Sequence, residues 1–226
     1  MDGQVPERRG MKSMRFPELL ALRHSSHLCI SPSGNACAFL VHTPSQAENN
    51  YVSQIFISDY SRTSPIGSPG VTSLAWMDEH TLVIARPIFG GTAFFSLSIV
   101  DGTERPFAHV DLTAAIAGVI SGNLLISAQC HIGPEKDRGN NYWTILDELP
   151  IWKDDMGYCS KIRRKLFLCT SNGTIQCISP DKMDVRLISI DQSRVVYAGH
   201  TPNVLNRATD EIRCWDGADH FLYNAY

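Results

Sequence analysis

Short apolar runs separated by turn residues restrict the fold of this 226-residue chain more than any other feature. The runs carry apolar side chains at alternating positions, and Gly, Pro, Asn, Asp or Ser bounds each of them. They cover residues 37–42, 54–58, 71–76, 81–85, 94–100, 124–128, 165–169, 174–178, 185–190 and 194–198. This pattern predicts antiparallel strands joined by hairpins, as in a sandwich, a barrel or a propeller.

An internal repeat favours the propeller. Residues 30–41, 73–85 and 188–198 each contain a strand, a polar turn and a new apolar strand in the same order. The first two copies are about 45 residues apart, which is the usual length of a four-stranded propeller blade. The third copy lies much further along, so one blade between them must be enlarged, across residues 133–164. We therefore predict an all-β fold, a partial β-propeller of about four blades of antiparallel strands.

The chain divides into three parts. Residues 1–15 carry four basic side chains with no apolar stretch behind them, and we expect a disordered leader. Residues 16–215 are predicted to form the partial propeller, and residues 216–226 an irregular C-terminal tail. Only one short segment, residues 111–119, has the pattern of an amphipathic helix. A complete ring of seven or eight blades needs roughly 300 residues or more, so we expect a truncated propeller.

Composition argues against several classes of partner. The formal net charge of −3 does not suit a nucleic-acid surface or an anionic membrane surface. No apolar run approaches the length of a transmembrane helix, and the N-terminus lacks the apolar core of a secretory signal. The seven cysteines are odd in number and form no Cys-x-x-Cys pair. These features predict a cytoplasmic protein in a reducing compartment, with no cofactor.

Three stretches resemble a known family. Residues 30–41 resemble its repeated hairpin of Ser-Pro-Asp-Gly followed by an apolar strand, although Ser33 stands where the family has Asp. Residues 149–168 resemble its blade with Leu-Pro-aromatic, Gly-aromatic and Arg-Arg-x-x-Leu-aromatic segments, and residues 185–198 resemble a later blade. By these motifs, residues 22–215 resemble the N-terminal β-propeller of the prolyl oligopeptidase (S9) family of serine peptidases, in the acylaminoacyl-peptidase and dipeptidyl-aminopeptidase-like branch.

The resemblance implies a propeller that restricts access, so that only short peptides reach a Ser-Asp-His triad on an α/β-hydrolase domain. The nucleophile of that domain sits on a Gly-x-Ser-x-Gly elbow, and this sequence contains none. No catalytic residue is therefore assigned. The first expectation is a non-catalytic propeller portion that gates short peptides. The alternative is a protein-interaction module that self-associates through open propeller edges. A third hypothesis is a stand-alone enzyme with an unrecognised site.

The basic run at residues 163–165 supplies the candidate substrate-binding residues, Arg163 and Arg164. A planar guanidinium matches a carboxylate, so either residue could recognise an acidic group of a peptide. The other interpretation is structural, with an ion pair to Asp154 or Asp155 or a solvated strand end.

Two groups of residues that contain histidine are candidate metal sites. His131 stands near Glu135 and Asp137, and His24 and His27 are three residues apart. Neither group has the ligand spacing of a zinc site, so both are interpreted as solvated loops and no metal is predicted. Trp76 ends an apolar strand and is expected to lie between blades rather than at a ligand.

Overall fold

The structure is a computed structural model, which describes residue 18 and residues 21–132, 151–153, 157–159, 161–191, 193–201 and 210–225. Eighteen strands occur in these ranges, and most of them form four antiparallel sheets of four strands. In each sheet the strands lie side by side in chain order, with a separate two-stranded hairpin inserted only in the third, so each sheet is one blade. The predicted all-β partial propeller of four blades is confirmed.

The bounds of the blades are as follows. Blade 1 contains β1 (His24–Ile30), β2 (Ala36–Ser45), β3 (Asn50–Asp59) and β4 (Thr63–Ile66). Blade 2 contains β5 (Ser73–Trp76), β6 (Thr81–Ile88), β7 (Gly91–Ser98) and β8 (Glu104–Val110). Blade 3 contains β9 (Ala114–Ile120), β10 (Asn123–His131), β13 (Ile162–Cys169) and β14 (Ile175–Cys177). Blade 4 contains β15 (Asp184–Ile190), β16 (Val195–His200), β17 (Asp210–Trp215) and β18 (Asp219–Ala225).

Blade 3 is the enlarged blade. Its second and third strands, β10 and β13, pair from Leu124 opposite Cys169 to His131 opposite Ile162, although residues 132–161 lie between them in the chain. That segment carries a separate two-stranded hairpin, β11 (Ile151–Lys153) with β12 (Gly157–Cys159). The prediction of an insertion in this region is confirmed.

Residues 111–119, the best candidate for a short amphipathic helix, do not form one. Ala114–Ile120 forms β9, the first strand of blade 3, and its backbone is bonded to blade 2 as well as to β10. The amide of Ala114 donates to Thr92 Oγ1 at 2.9 Å, and the amide of Ile116 donates to Ser73 Oγ at 2.8 Å. These partners and the burial of Ala114 and Ile116 outweigh the helix propensity of an alanine-rich segment.

The irregular tail expected at residues 216–226 is also wrong, because Asp219–Ala225 forms β18 and pairs with β17. A polar network fixes this last strand. The Asp219 carboxylate accepts hydrogen bonds from the Tyr197 hydroxyl at 2.5 Å and from Arg213 Nη2 at 2.6 Å. Arg213 also donates to Glu211 at 2.7 Å. The sheet of blade 4 therefore extends beyond the boundary predicted from the sequence.

Replacing Asp219 with asparagine is expected to lower the free energy of unfolding at pH 7 by about 1–3 kcal/mol, because two charge-assisted hydrogen bonds weaken. Partial burial raises the pKa of the Asp219 carboxyl, but hydrogen bonds from Arg213 and Tyr197 outweigh it and hold the pKa below its ordinary value. Such a group stabilises the fold above its unfolded pKa and loses that contribution as the pH falls through its folded pKa.

The difference in the free energy of unfolding between the wild type and Asp219→Asn should therefore be largest at pH 7 and should shrink below about pH 4. Urea denaturation at both pH values measures it. A deficit of the same size in acid would show that the carboxylate charge is not what holds β18.

Three apolar clusters lie between the four blades, one at each junction. Leu40, Leu74 and Leu82 are among the buried residues between blades 1 and 2. Phe94 and Leu124 belong to the cluster between blades 2 and 3. Ile120, Leu125, Leu166, Val185 and Tyr197 are in the cluster between blades 3 and 4. The core is thus a series of contacts between sheet faces, as in a propeller.

The expected disordered leader, residues 1–15, lies outside the described residues. Across the part of the chain that the structure describes, no helix has the length and apolarity needed to cross a membrane.

Candidate functional site

The first strands of the four blades converge. β5 contacts β1 on one side and β9 on the other, and β9 also contacts β15. Residues of all four strands line a cavity of about 710 Å³, here called the central cavity. Each of these strands lies at one end of its sheet in the strand order. Edge strands have one row of backbone groups that is not used within the sheet. The central cavity therefore combines apolar side chains with strand edges.

A bulge in β1 directs apolar side chains into the central cavity. The pairing of β1 with β2 shifts register between Ser26 and Cys29, and His27 has a φ of 53°. Leu28 follows in the bulge, and its side chain is 69% exposed within the cavity lining. Bulges of this kind re-aim a side chain away from the regular pleat, and positive φ in a non-glycine residue carries a strain cost. The bulge thus leaves Leu28 exposed in the lining of the cavity.

The walls of the central cavity are tied together across the blades. Trp76 is buried, and its indole Nε1 donates to the backbone oxygen of Cys29 at 3.2 Å, which joins blade 2 to blade 1. This contact places Trp76 between blades, as predicted. The Ser73 hydroxyl, itself fully buried, accepts the amide of Ile116 and joins blade 2 to blade 3. The apolar lining is therefore held in a fixed shape.

The chemistry of the cavity suits binding rather than reaction. Cys29 lines the cavity, but burial raises the pKa of its thiol to about 11. A thiol that stays protonated is a weak nucleophile. Its Sγ donates to the backbone oxygen of Ala38 at 3.5 Å, which keeps it turned toward β2. The remaining lining is mostly apolar, with His27 and Asp191 as the ionisable groups beside Cys29.

The two histidines considered for a metal belong to a larger aromatic cluster in blade 1. The rings of His24 and His42 stack with centroids 4.5 Å apart, and Tyr51 meets His24 edge-on. The Ser26 hydroxyl lies 2.6 Å from His42 Nε2 and 2.9 Å from His27 Nδ1. Burial and the neighbouring His24 and His27 lower the pKa of His42. Within the described ranges, no group of three His, Cys, Asp or Glu side chains is placed to hold a metal ion. Glu135 and Asp137 lie outside those ranges.

The two candidate substrate-binding arginines differ in their exposure to solvent. Arg163 is only 5% exposed, and its guanidinium donates to the backbone oxygens of Lys182 and Ile162 at 3.2 and 3.1 Å. Lys165 is buried beside it, where burial lowers its pKa, and its ammonium donates to the backbone oxygen of Pro180. Arg164, in contrast, is exposed at the strand end. Asp154 and Asp155, considered as ion-pair partners, lie outside the described residues.

Sequence reasoning missed the residues that shape the central cavity. Polar and apolar residues alternate poorly from His24 to Ile30 because of the bulge, so β1 is missing from the predicted strands. A signal was nevertheless available. Leu28, Cys29 and Ile30 directly precede the Ser-Pro-Ser-Gly turn, and the matching position before the turn of blade 2 is a strand.

No protein-family model matches the chain, and no curated protein sequence matches it. Solved structures do match. Acylaminoacyl peptidase from Pyrococcus horikoshii superposes with a TM-score of 0.69 at 14% identity, over 89% of this chain and 33% of the peptidase. The β-propeller domain of the trilobed protease from Pyrococcus furiosus, described as having an open velcro topology, gives 0.58 at 10% identity, over 90% of this chain and 58% of that one.

An oligogalacturonate lyase in complex with manganese gives a TM-score of 0.51 at 11% identity, over 87% of this chain and 52% of the lyase. All three similarities are too low in identity to show more than the fold. They confirm the propeller architecture that the sequence resemblance implies. The chain spans a third of the length of the peptidase and little more than half of the other two.

Proposed function

We propose that the chain is the non-catalytic portion of a β-propeller of the oligopeptidase type, which receives short peptides and gates their access to a hydrolase domain. The observation that carries this proposal is the central cavity, where the first strands of all four blades meet. The peptidase superposes better than the lyase, and the motifs at residues 30–41 and 149–168 resemble the peptidase family. Both points favour a peptide ligand over the oligogalacturonate named for the lyase.

The cavity has the properties that an extended peptide requires. Its volume of about 710 Å³ is within the range of small-ligand pockets, too small for a folded domain. Leu28 and Ile30 offer exposed apolar surface, 69% and 66% exposed, to peptide side chains. The edges of the first strands can pair with a peptide backbone, which is a common mode of peptide recognition.

Of the two arginines, this proposal retains Arg164 as a contact for a peptide carboxylate, on a surface apart from the central cavity, which Arg164 does not line. Its exposed position leaves the planar guanidinium open to a ligand. The geometry of Arg163 supports a structural role, because its guanidinium is buried against backbone oxygens.

Replacing Leu28 with arginine is expected to weaken the binding of short apolar peptides at least about tenfold, or 1.4 kcal/mol. The substitution places a charge where the cavity offers apolar contact, and Leu28 is exposed enough that the fold should tolerate it. Calorimetric titration with acetylated apolar tetrapeptides measures the affinity. Phe89→Arg is the matched control, because Phe89 is fully exposed and does not line the cavity.

Equal affinities in the two variants, or no binding by the wild type, would contradict peptide reception at the central cavity. Mass spectrometry of the peptides after incubation adds a second readout. We expect them to stay intact, and turnover blocked by a serine-directed phosphonate would reveal an enzyme instead.

The alternative function is a protein-interaction module. The faces of blades 1 and 4 that no other blade covers within the described residues favour it. Under either function we place the protein in the cytoplasm. The six cysteines whose side chains are described are free thiols, as suits a reducing compartment.

A further inference from the structure

In blades 2 and 3, the two faces of the second strand pack on two different neighbouring blades. In β6, Leu82 and Ile84 belong to the cluster with blade 1, and Val83 and Ala85 to the cluster with blade 3. The same alternation occurs in β10, where Leu124 contacts blade 2 and Leu125 contacts blade 4. We call the face toward the preceding blade the backward face and the face toward the following blade the forward face.

The forward face of blade 4 has an apolar centre like that of a buried forward face, bordered by the ion pairs of Asp210 with Arg186 and His200. Val195 and Tyr197 of β16 pack backward on blade 3, so Val196 and Ala198 point forward. This pair matches Val83 and Ala85, which form the buried forward face of blade 2. On the next strand, Ile212 lies opposite Ala198 and Cys214 opposite Val196, which extends the apolar face. Val196, Ile212 and Cys214 are half-buried, whereas Ala198 is buried.

The backward face of blade 1 also has an apolar centre, with Thr43 and Gln54 beside it. Ala38 and Leu40 of β2 pack forward on blade 2, so Cys37, Phe39 and Val41 point backward. Phe39 occupies the position that the buried Ile84 occupies in blade 2. Its ring stacks on that of Phe56, opposite it on β3, with centroids 6.0 Å apart. The pair remains half-buried, and the face carries a shallow groove of about 560 Å³.

These two faces resemble the forward and backward sides of the three observed junctions. Among the described residues, all three junctions join the forward face of one blade to the backward face of the next. The small residues Val196 and Ala198 on one side and the large rings of Phe39 and Phe56 on the other continue that pattern. A contact of this kind is heterologous, since it joins two different surfaces.

We propose that two copies of this chain close into an eight-bladed ring, in which the forward face of blade 4 in each copy packs on the backward face of blade 1 in the other. Eight blades is within the range of propellers that close. Two heterologous contacts related by a twofold axis use both apolar faces of both copies, whereas a dimer through blade 1 alone would leave the face of blade 4 open. The inference depends on blade packing and not on peptide binding, so either can fail alone.

Light scattering during size-exclusion chromatography tests the ring. We expect a species of twice the 25.1 kDa chain mass that dissociates to the single chain on dilution. Phe39→Glu alters the blade 1 face and Ile212→Glu alters the blade 4 face, and each should raise the dissociation constant at least about a hundredfold. Phe89→Glu, on neither face, is the matched control and should associate like the wild type.

Mixing the two variants gives the decisive result. The intact blade 4 face of Phe39→Glu can meet the intact blade 1 face of Ile212→Glu, so the mixture should recover a dimer that neither variant forms alone. A wild-type chain that stays single at about 100 μM, an Ile212→Glu chain that still pairs, or a ladder of growing species would overturn the closed ring. The wild-type dilution series keeps the test valid even if one variant unfolds, which circular dichroism would show.

Discussion

Replacing Phe94 with alanine is expected to lower the free energy of unfolding by about 3–5 kcal/mol. Phe94 is fully buried in the cluster between blades 2 and 3, where it lies opposite Ala85 on β6. Its ring fills a junction whose other members come from two sheets, so its removal leaves a cavity that neither sheet can close by itself. Urea denaturation followed by circular dichroism measures the loss.

Phe89→Ala serves as the control for Phe94→Ala. Phe89 is fully exposed in the turn before β7, and its removal should change the free energy of unfolding by no more than about 0.5 kcal/mol. A loss below about 1 kcal/mol at Phe94 would mean that blades 2 and 3 do not share a packed junction.

The substitution Gly91→Ala is expected to lower the free energy of unfolding by about 3 kcal/mol, because the added methyl group overpacks a site that cannot relax. A Cβ at Gly91 would lie 2.1 Å from the backbone oxygen of Val110 and 3.1 Å from the Cα of Asp111. Both atoms belong to the backbone, so relief requires the chain that leaves β8 to move away from β7. The same denaturation experiment measures the cost.

Gly118→Ala is the matched comparison, since it also adds one methyl group to a strand. A Cβ there would meet Ile190 Cδ1 at 2.2 Å, which is the end of a flexible side chain that can rotate away. We expect a cost below about 1 kcal/mol. Similar costs at the two glycines would contradict the close approach of β7 to the end of β8.

The sequence predicts the blades well where a second strand is buried on both faces. Residues 81–85 and 124–128 are almost continuously apolar, and turn residues precede each of them, so both the strand and its boundaries are evident. The prediction fails where neighbours decide the structure. β9 is missing from the predicted strands, because Thr92 and Ser73, which bond its backbone, are distant in the chain.

The last strand is missed for a similar reason. β18 is mixed in polarity, with Phe221, Leu222 and Tyr223 more than half exposed, so no alternation marks it. Its position depends on Asp219, which bonds Tyr197 of another strand and Arg213 across a hairpin. Such contacts between distant residues leave no periodic signal in the sequence.

The candidate site is less predictable than the fold. The sequence gives Arg163 and Arg164 equal weight, and only the packing shows that one is buried and the other exposed. The central cavity is assembled from four strands that are far apart in the chain, and the bulge at Leu28 breaks the pattern that would have marked its strand.

The convergence of the first strands of consecutive blades is tested most directly by nuclear Overhauser spectroscopy of the isotopically labelled chain. The structure predicts a cross-peak between the Trp76 indole and Cys29, which joins blades 1 and 2, and one between the Ile190 methyl and Gly118, which joins blades 3 and 4. Both should persist in the Phe39→Glu variant, whether or not two copies associate. Strand content retained by circular dichroism with both cross-peaks missing would contradict the propeller arrangement.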